Sequence, residues 1–141
     1  MDDIEILIHP ESIVHSLVSY RDGSMMAQLG APDMRIPIQL AMTWPERLDN
    51  PFRRALLAEI GSLTFENPDV DAFRCLPLAY TAIRTGGTLP AVLNAANEVA
   101  VEAFLDNRIP FARIPDVVET AMGAHITIQS PTLDDINQAD R

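Results

Sequence analysis

An α+β chain, strands first and helices after, is encoded here, and three features in the order of its residues say so. The first thirty residues alternate apolar and polar about a turn at Asp22-Gly23. Prolines at 45, 51 and 68 interrupt the middle. From Asp69 onward the apolar spacing becomes that of a helix, with proline near helix starts and glycine at helix ends. Segregated classes of this kind give an antiparallel hairpin, then a linker, then a C-terminal helical bundle, not alternating βαβ units. At 141 residues, 48% hydrophobic and 21% charged, the chain has the size and balance of one globular domain or of one piece of a larger one.

Taken in order, residues 4–8 form a short apolar run closed by His9-Pro10, where the proline pushes His9 out of helical geometry. Residues 13–20 alternate, with Ile13, His15, Leu17 and Ser19 on one side and Val14, Ser16, Val18 and Tyr20 on the other. Asp22-Gly23 signals a hairpin, residues 24–29 return as the partner strand, and Gly30-Ala31-Pro32-Asp33 breaks it. The expectation is a three-strand antiparallel unit at the edge of a larger sheet, because so few strands need a partner layer. Residues 36–44, with Pro37 in the first turn, predict a short helix, and the prolines beyond it predict a partly ordered linker.

The helical part follows. Pro77 opens a helix through Leu78, Ala79, Tyr80 and Ile83 that stops at Gly86-Gly87. Thr88 is placed to cap the next and longest helix, with Pro90 in its first turn and Val92, Ala96, Val99 and Ala103 along one stripe. A third runs from Pro115 through Val117, Val118, Ala121 and Met122 to Gly123, and Thr132-Leu133-Asp134-Asp135 opens a fourth of barely two turns.

Composition narrows the function classes. Twenty acidic residues against ten basic ones give a net charge of −10, which repels nucleic acid and anionic lipid, so no nucleic acid and no membrane is expected as a partner. No apolar run approaches the roughly 18 residues of a spanning helix, and the start lacks the basic segment of a signal peptide, which predicts a cytoplasmic protein. All ten basic residues are arginine, so this chain alone builds no Walker loop and no lysine-based Schiff base. Cys75 stands alone, which excludes an internal disulfide and a multi-cysteine zinc site. The six glycines fit no dinucleotide fingerprint, and there is no Gly-x-Ser-x-Gly elbow.

Three constellations remain. His9, Ser12 and His15 lie within seven residues at the start of a strand, which puts imidazole and hydroxyl at the mouth of a pocket. Two histidines beside Glu11 invite a metal reading, but His-Pro cannot begin a helical zinc motif. His15, next to Ile13 and Leu17 in the alternation, fits a hydrogen-bonded core histidine as well as a site residue. The second is Gly30-Ala31-Pro32-Asp33-Met34-Arg35-Ile36-Pro37, which suits a rigid loop over a ligand or a plain turn into a helix. The third, Asn94, Asn97 and Glu98 on one helical turn, suggests a clamp to another helix or domain, since asparagine disfavours helix interiors. Asp2, Asp3, Asp134, Asp135 and Asp140, near the termini, read as a solvated face.

Several consecutive stretches carry a resemblance. Glu5-Ile6-Leu7-Ile8-His9-Pro10-Glu11-Ser12-Ile13-Val14-His15-Ser16-Leu17-Val18, Tyr20-Arg21-Asp22-Gly23-Ser24, Ala27-Gln28-Leu29-Gly30, Pro32-Asp33-Met34-Arg35-Ile36-Pro37-Ile38, Trp44-Pro45, Leu63-Thr64-Phe65 and Leu93-Asn94-Ala95-Ala96-Asn97-Glu98 resemble the C-terminal part of 1-deoxy-D-xylulose 5-phosphate reductoisomerases, in order, from about residue 4 to about residue 136. The resemblance implies an enzyme that rearranges this sugar phosphate and reduces the product with NADPH to 2-C-methyl-D-erythritol 4-phosphate, in the non-mevalonate route to isoprenoids. It implies a divalent metal, Mg²⁺ or Mn²⁺, and a homodimer. Residues 1–43 would end the catalytic domain and its sheet, 44–67 would connect, and 68–141 would form the helical domain. By the same resemblance His15 is a catalytic residue, and Ser12, Pro32 and Met34 contact substrate. The family's metal ligands, its phosphate-binding residues and its nucleotide domain correspond to nothing in this chain. The isolated chain is therefore expected to be inactive, with exposed strand edges and weak solubility. Two other readings are a non-catalytic self-association module derived from that enzyme and a small metal-binding protein using His9 and His15.

Overall fold

The computed structural model describes residues 3–140, so Asp2 lies outside them, and the chain forms two compact units. One is Ile6–Asn67. The other begins at Pro68 and includes the described residues before Ile6.

In the first unit, β1 (Val14–Ser19) and β2 (Met25–Leu29) pair antiparallel as a two-stranded sheet. The turn between them is made by Gly23 at φ +85°, where a side chain would be strained, and by Asp22, whose carboxylate accepts from the Ser24 amide and hydroxyl at 2.9 and 2.6 Å. The third strand expected at residues 4–8 does not join this sheet. Pro10 and the turn that follows it redirect the chain before β1, and the segment makes one antiparallel bridge instead, Ile8 with Glu66. Local alternation records strand preference, but the partner is a distant choice. Helix α1 (Arg35–Thr43) matches the short helix expected here and ends at Trp44, whose bond to Pro45 is cis. Residues 44–67, expected as a linker, hold a single-turn helix, α2 (Leu57–Ile60), and fall within the same compact unit. They are tied to it by side chains: Thr64 donates its amide and hydroxyl to Glu11 at 3.1 and 2.7 Å, and Asn50 donates to Gln39 at 3.2 Å.

The second unit is helical: α3 (Cys75–Thr85), α4 (Leu89–Leu105), a 3₁₀ turn (Phe111–Arg113), α5 (Ile114–Ala124) and α6 (Leu133–Ala139). Its core is Ala82, Leu89, Val118 and Met122, with Leu78, Leu93 and Ala96 packed against it. On α4 the expected stripe shifts by one residue at its middle, since Val99 faces solvent and Ala100 is buried. Arg74 fastens α3 to α5 through Asp116 and Glu119. At the start of α6, Thr132 and Asp135 cap each other reciprocally, as their spacing anticipates.

Thr88 does not cap α4. Its backbone is already helical (φ −83°, ψ −9°), whereas a capping side chain needs extended backbone to reach the second or third amide. The hydroxyl instead pairs with His125 Nε2 at 2.7 Å and accepts the Ile128 amide at 3.1 Å, fully buried. Asn94 likewise donates to Glu98 within its own helix, at 2.9 Å, and not to another segment.

Candidate functional site

The candidate residues collect at the open end of the hairpin. The Gly30 amide donates to the Ile13 carbonyl at 2.9 Å, so the start of β1, with Ser12, faces the exit of β2, with Pro32. Between Val14, opposite Leu29, and Ser16, opposite Gln28, β1 carries one residue more than β2. His15 is that extra residue. A bulge of this kind re-aims the side chain it displaces, and here the alternation that put His15 in line with Ile13 is broken. The imidazole lies over Gly30: a Cβ at that position would be 3.7 Å from His15 Nε2.

The three histidines separate by what holds them. His9 is tied on every side. Its ring stacks on Phe65 at 4.6 Å, its Nδ1 lies 2.8 Å from the Thr64 carbonyl and 3.1 Å from Glu11, and its Nε2 accepts the Ile13 amide at 3.1 Å. That last bond requires a lone pair on Nε2 and so places the proton on Nδ1, where both neighbours accept it. His125 is engaged by Thr88. His15 is exposed, and among the described residues nothing bonds to its ring. A solvent-facing imidazole with both nitrogens available can accept a proton, donate one, or hold a substrate hydroxyl or phosphate.

Ser12 sits at φ +52°, uncommon for a residue with a side chain, held there by the turn in which its amide donates to the His9 carbonyl at 3.1 Å. Its hydroxyl is exposed and has no partner among the described residues. Pro32 is the centre of a tight turn closed by the Asp33 amide on the Ala31 carbonyl at 2.8 Å. Arg35 then chelates Asp33 with bonds of 2.6 to 3.1 Å, and its guanidinium holds the Asp33 carboxyl below the usual aspartate range. This rigid turn leads to Met34, which is 73% exposed at the head of α1.

The described residues do not by themselves fit a divalent cation. Among the described residues no group of three or more histidine, cysteine, aspartate or glutamate side chains converges, and hard cations need such oxygen donors. With His9 bonded at both nitrogens, a shared His9–His15 metal site has no donor on the His9 side. No helix among the described residues is long and apolar enough to cross a membrane.

Two features of this unit and of the helical one have no counterpart in the sequence pattern. The bulge at His15 depends on the register of both strands and leaves no mark within either. The buried Thr88–His125 pair spans 37 residues, and no local pattern announces it.

The family profile of the DXP reductoisomerase C-terminal domain matches residues 29–141. The chain belongs to the DXP reductoisomerase family. It is similar to the 1-deoxy-D-xylulose 5-phosphate reductoisomerase of Acetivibrio thermocellus, 57% identical over 139 residues that cover 99% of this chain and 36% of the relative. It is 52% identical to that of Bacillus subtilis, over 99% of this chain and 37% of the relative. Among solved structures, the Zymomonas mobilis reductoisomerase in complex with NADPH superposes with a TM-score of 0.86 at 43% identity, over 96% of this chain and 36% of that one. A DOX-P reductoisomerase in complex with NADPH, fosmidomycin and magnesium gives 0.86 at 41% identity, over 95% and 35%. The chain thus spans little more than a third of the reductoisomerases it matches, and corresponds to their C-terminal part.

Proposed function

We propose that this chain supplies one wall of the active site of an enzyme that converts 1-deoxy-D-xylulose 5-phosphate to 2-C-methyl-D-erythritol 4-phosphate, with NADPH as reductant and Mg²⁺ or Mn²⁺ bound elsewhere. The family match over residues 29–141 is the observation that carries this reading. His15 is the catalytic residue: its unpartnered imidazole hydrogen-bonds the sugar phosphate and moves protons at its oxygens. Ser12 adds a hydroxyl beside it, and Pro32 and Met34 cover the substrate and the nicotinamide, excluding water. Residues 1–43 act as the end of the catalytic domain, 44–67 as its connection and 68–141 as the helical domain. The complete enzyme works in the cytoplasm as a homodimer.

Since the described residues form no cation cage, and the reading places the coenzyme on the part of the enzyme upstream, it requires that the chain alone be inactive. NADPH oxidation with 1-deoxy-D-xylulose 5-phosphate, measured for the 141-residue chain and for the same chain joined to the upstream two-thirds of a close reductoisomerase, tests it. Activity only in the joined protein is expected, and appreciable turnover by the chain alone overturns the reading. The exposed apolar residues Val18, Met25 and Met26 on the hairpin favour a second reading, a non-catalytic self-association module. Concentration-dependent dimerisation with no activity even in the joined protein would select it.

A further inference from the structure

Seven residues of the Ile6–Asn67 unit suggest a site that the reductoisomerase reading leaves unused. An open cavity of about 400 Å³ lies between the end of β2 with the start of α1, where Gly30, Ala31 and Ile36 form the wall, and the loop after α1, which contributes Arg47, Arg53, Arg54 and Asp49. Four guanidiniums elsewhere in this acidic chain are matched to carboxylates, Arg35 with Asp33, Arg74 with Asp116 and Glu119, Arg108 with Asp106 and Arg113 with Asp116, whereas Arg21, on the hairpin turn, stands alone in solvent among the described residues. Arg47, Arg53 and Arg54 are unmatched as well. Among the described residues none of the three side chains has an ion pair or hydrogen bond, Asp49 included, although acidic residues outnumber basic ones two to one. Three guanidiniums around one cavity, against a single carboxylate, make a local concentration of positive charge that like-charge repulsion disfavours unless an anion is there to share.

The loop carrying them is anchored. Asn50 donates to Gln39 of α1 and accepts the Phe52 amide at 3.1 Å, and the Arg35 guanidinium lies 4.3 Å above the Phe52 ring. The cavity wall is apolar at Ala31, which is buried, and at Ile36. Planar guanidinium forks match the oxygens of a phosphate, and an apolar wall accommodates carbon attached to it.

We propose that this cavity binds a phosphate dianion, either free or as a phosphate monoester, through Arg47, Arg53 and Arg54. The site adjoins the His15 group at Gly30 but uses none of its side chains, and it stands whether or not the catalytic reading does, because its readout is binding. Inorganic phosphate and glycerol 3-phosphate, titrated separately into the 141-residue chain at low ionic strength while the arginine side-chain N–H resonances are followed by NMR, test it. Saturable shifts confined to these three arginines are expected, weakening as salt is raised. Tighter binding of glycerol 3-phosphate would identify an organic phosphate as the occupant, and equal binding would identify the free ion. The double variant Arg53→Gln/Arg54→Gln should lose affinity about tenfold or more, with Arg113→Gln as the unaffected control. Should the double variant unfold, Arg47→Gln alone serves the same purpose. Absence of saturable shifts, shifts spread evenly over all the arginines, or unchanged affinity in a folded variant overturns the proposal.

Discussion

His15 is available because nothing among the described residues bonds to its ring, while His9 and His125 are held by neighbours at hydrogen-bond distance. In the complete enzyme, His15→Ala is expected to lower kcat/KM by about 10² or more with melting temperature unchanged, as for loss of a positioned acid–base group at an exposed site; steady-state kinetics beside a thermal melt checks both. Two glycines give opposite expectations. Gly87 has φ +60°, and a Cβ there would meet the Ile128 carbonyl oxygen at 2.3 Å, so Gly87→Ala should destabilise by upwards of about 2 kcal/mol. Gly123, inside α5 with open space around it, should gain about 0.5–1 kcal/mol from the same substitution. Urea denaturation of the two variants decides. Residue identity alone marked His15 and Ser12 as candidates, yet left His15 open between core and site, because the count that exposes it is shared between two strands.

At the scale of elements, the turn before β1 and residues 64–66 form one clamp, with Glu11 at its centre. The Thr64 hydroxyl, then its amide, hold the Glu11 carboxyl below its ordinary value of 4.5. A depressed carboxyl contributes stability that is complete above that ordinary value and lost as the pH falls through it and below. Melting of the wild-type chain should therefore lose temperature on acidification from neutral pH to below 4.5, and Glu11→Gln should lower the neutral-pH melt while flattening that dependence. A Glu11→Gln chain with the same acid slope as the wild type would contradict the clamp. The elements themselves were largely legible: Asp22-Gly23 allows few turns, a proline stands in the first turn of α3, α4 and α5, and Gly86 closes α3, although Gly123, expected to end α5, lies inside it. The run at residues 4–8 was not, because its bridge to Glu66 is a pairing across 58 positions that period-two alternation cannot choose.

Over the whole molecule, burial is uneven. The helical unit encloses Ala82, Leu89, Val118 and Met122, whereas in Ile6–Asn67 the buried apolar residues are Ile13 and Ala31, and every residue of β2 is exposed. Amide hydrogen exchange should accordingly be slowest in α4 and α5 around Val118 and faster by orders of magnitude in β1 and β2; equal protection in the two would show that the hairpin has support not visible in its packing. The segregated α+β order was readable from the change of period at Asp69, but the thinness of the hairpin unit was not, since composition averages over both units.

The bulge has one last implication. What distinguishes β1 from an ordinary ladder strand is arithmetic: one amino acid too many between two paired positions. Deleting His15 would therefore do more than remove an imidazole. It would let Val14 and Ser16 pair in step with Leu29 and Gln28, and the ribbon would become more regular while losing the side chain proposed for the site. A ladder without the extra residue would hold its register by pairing alone.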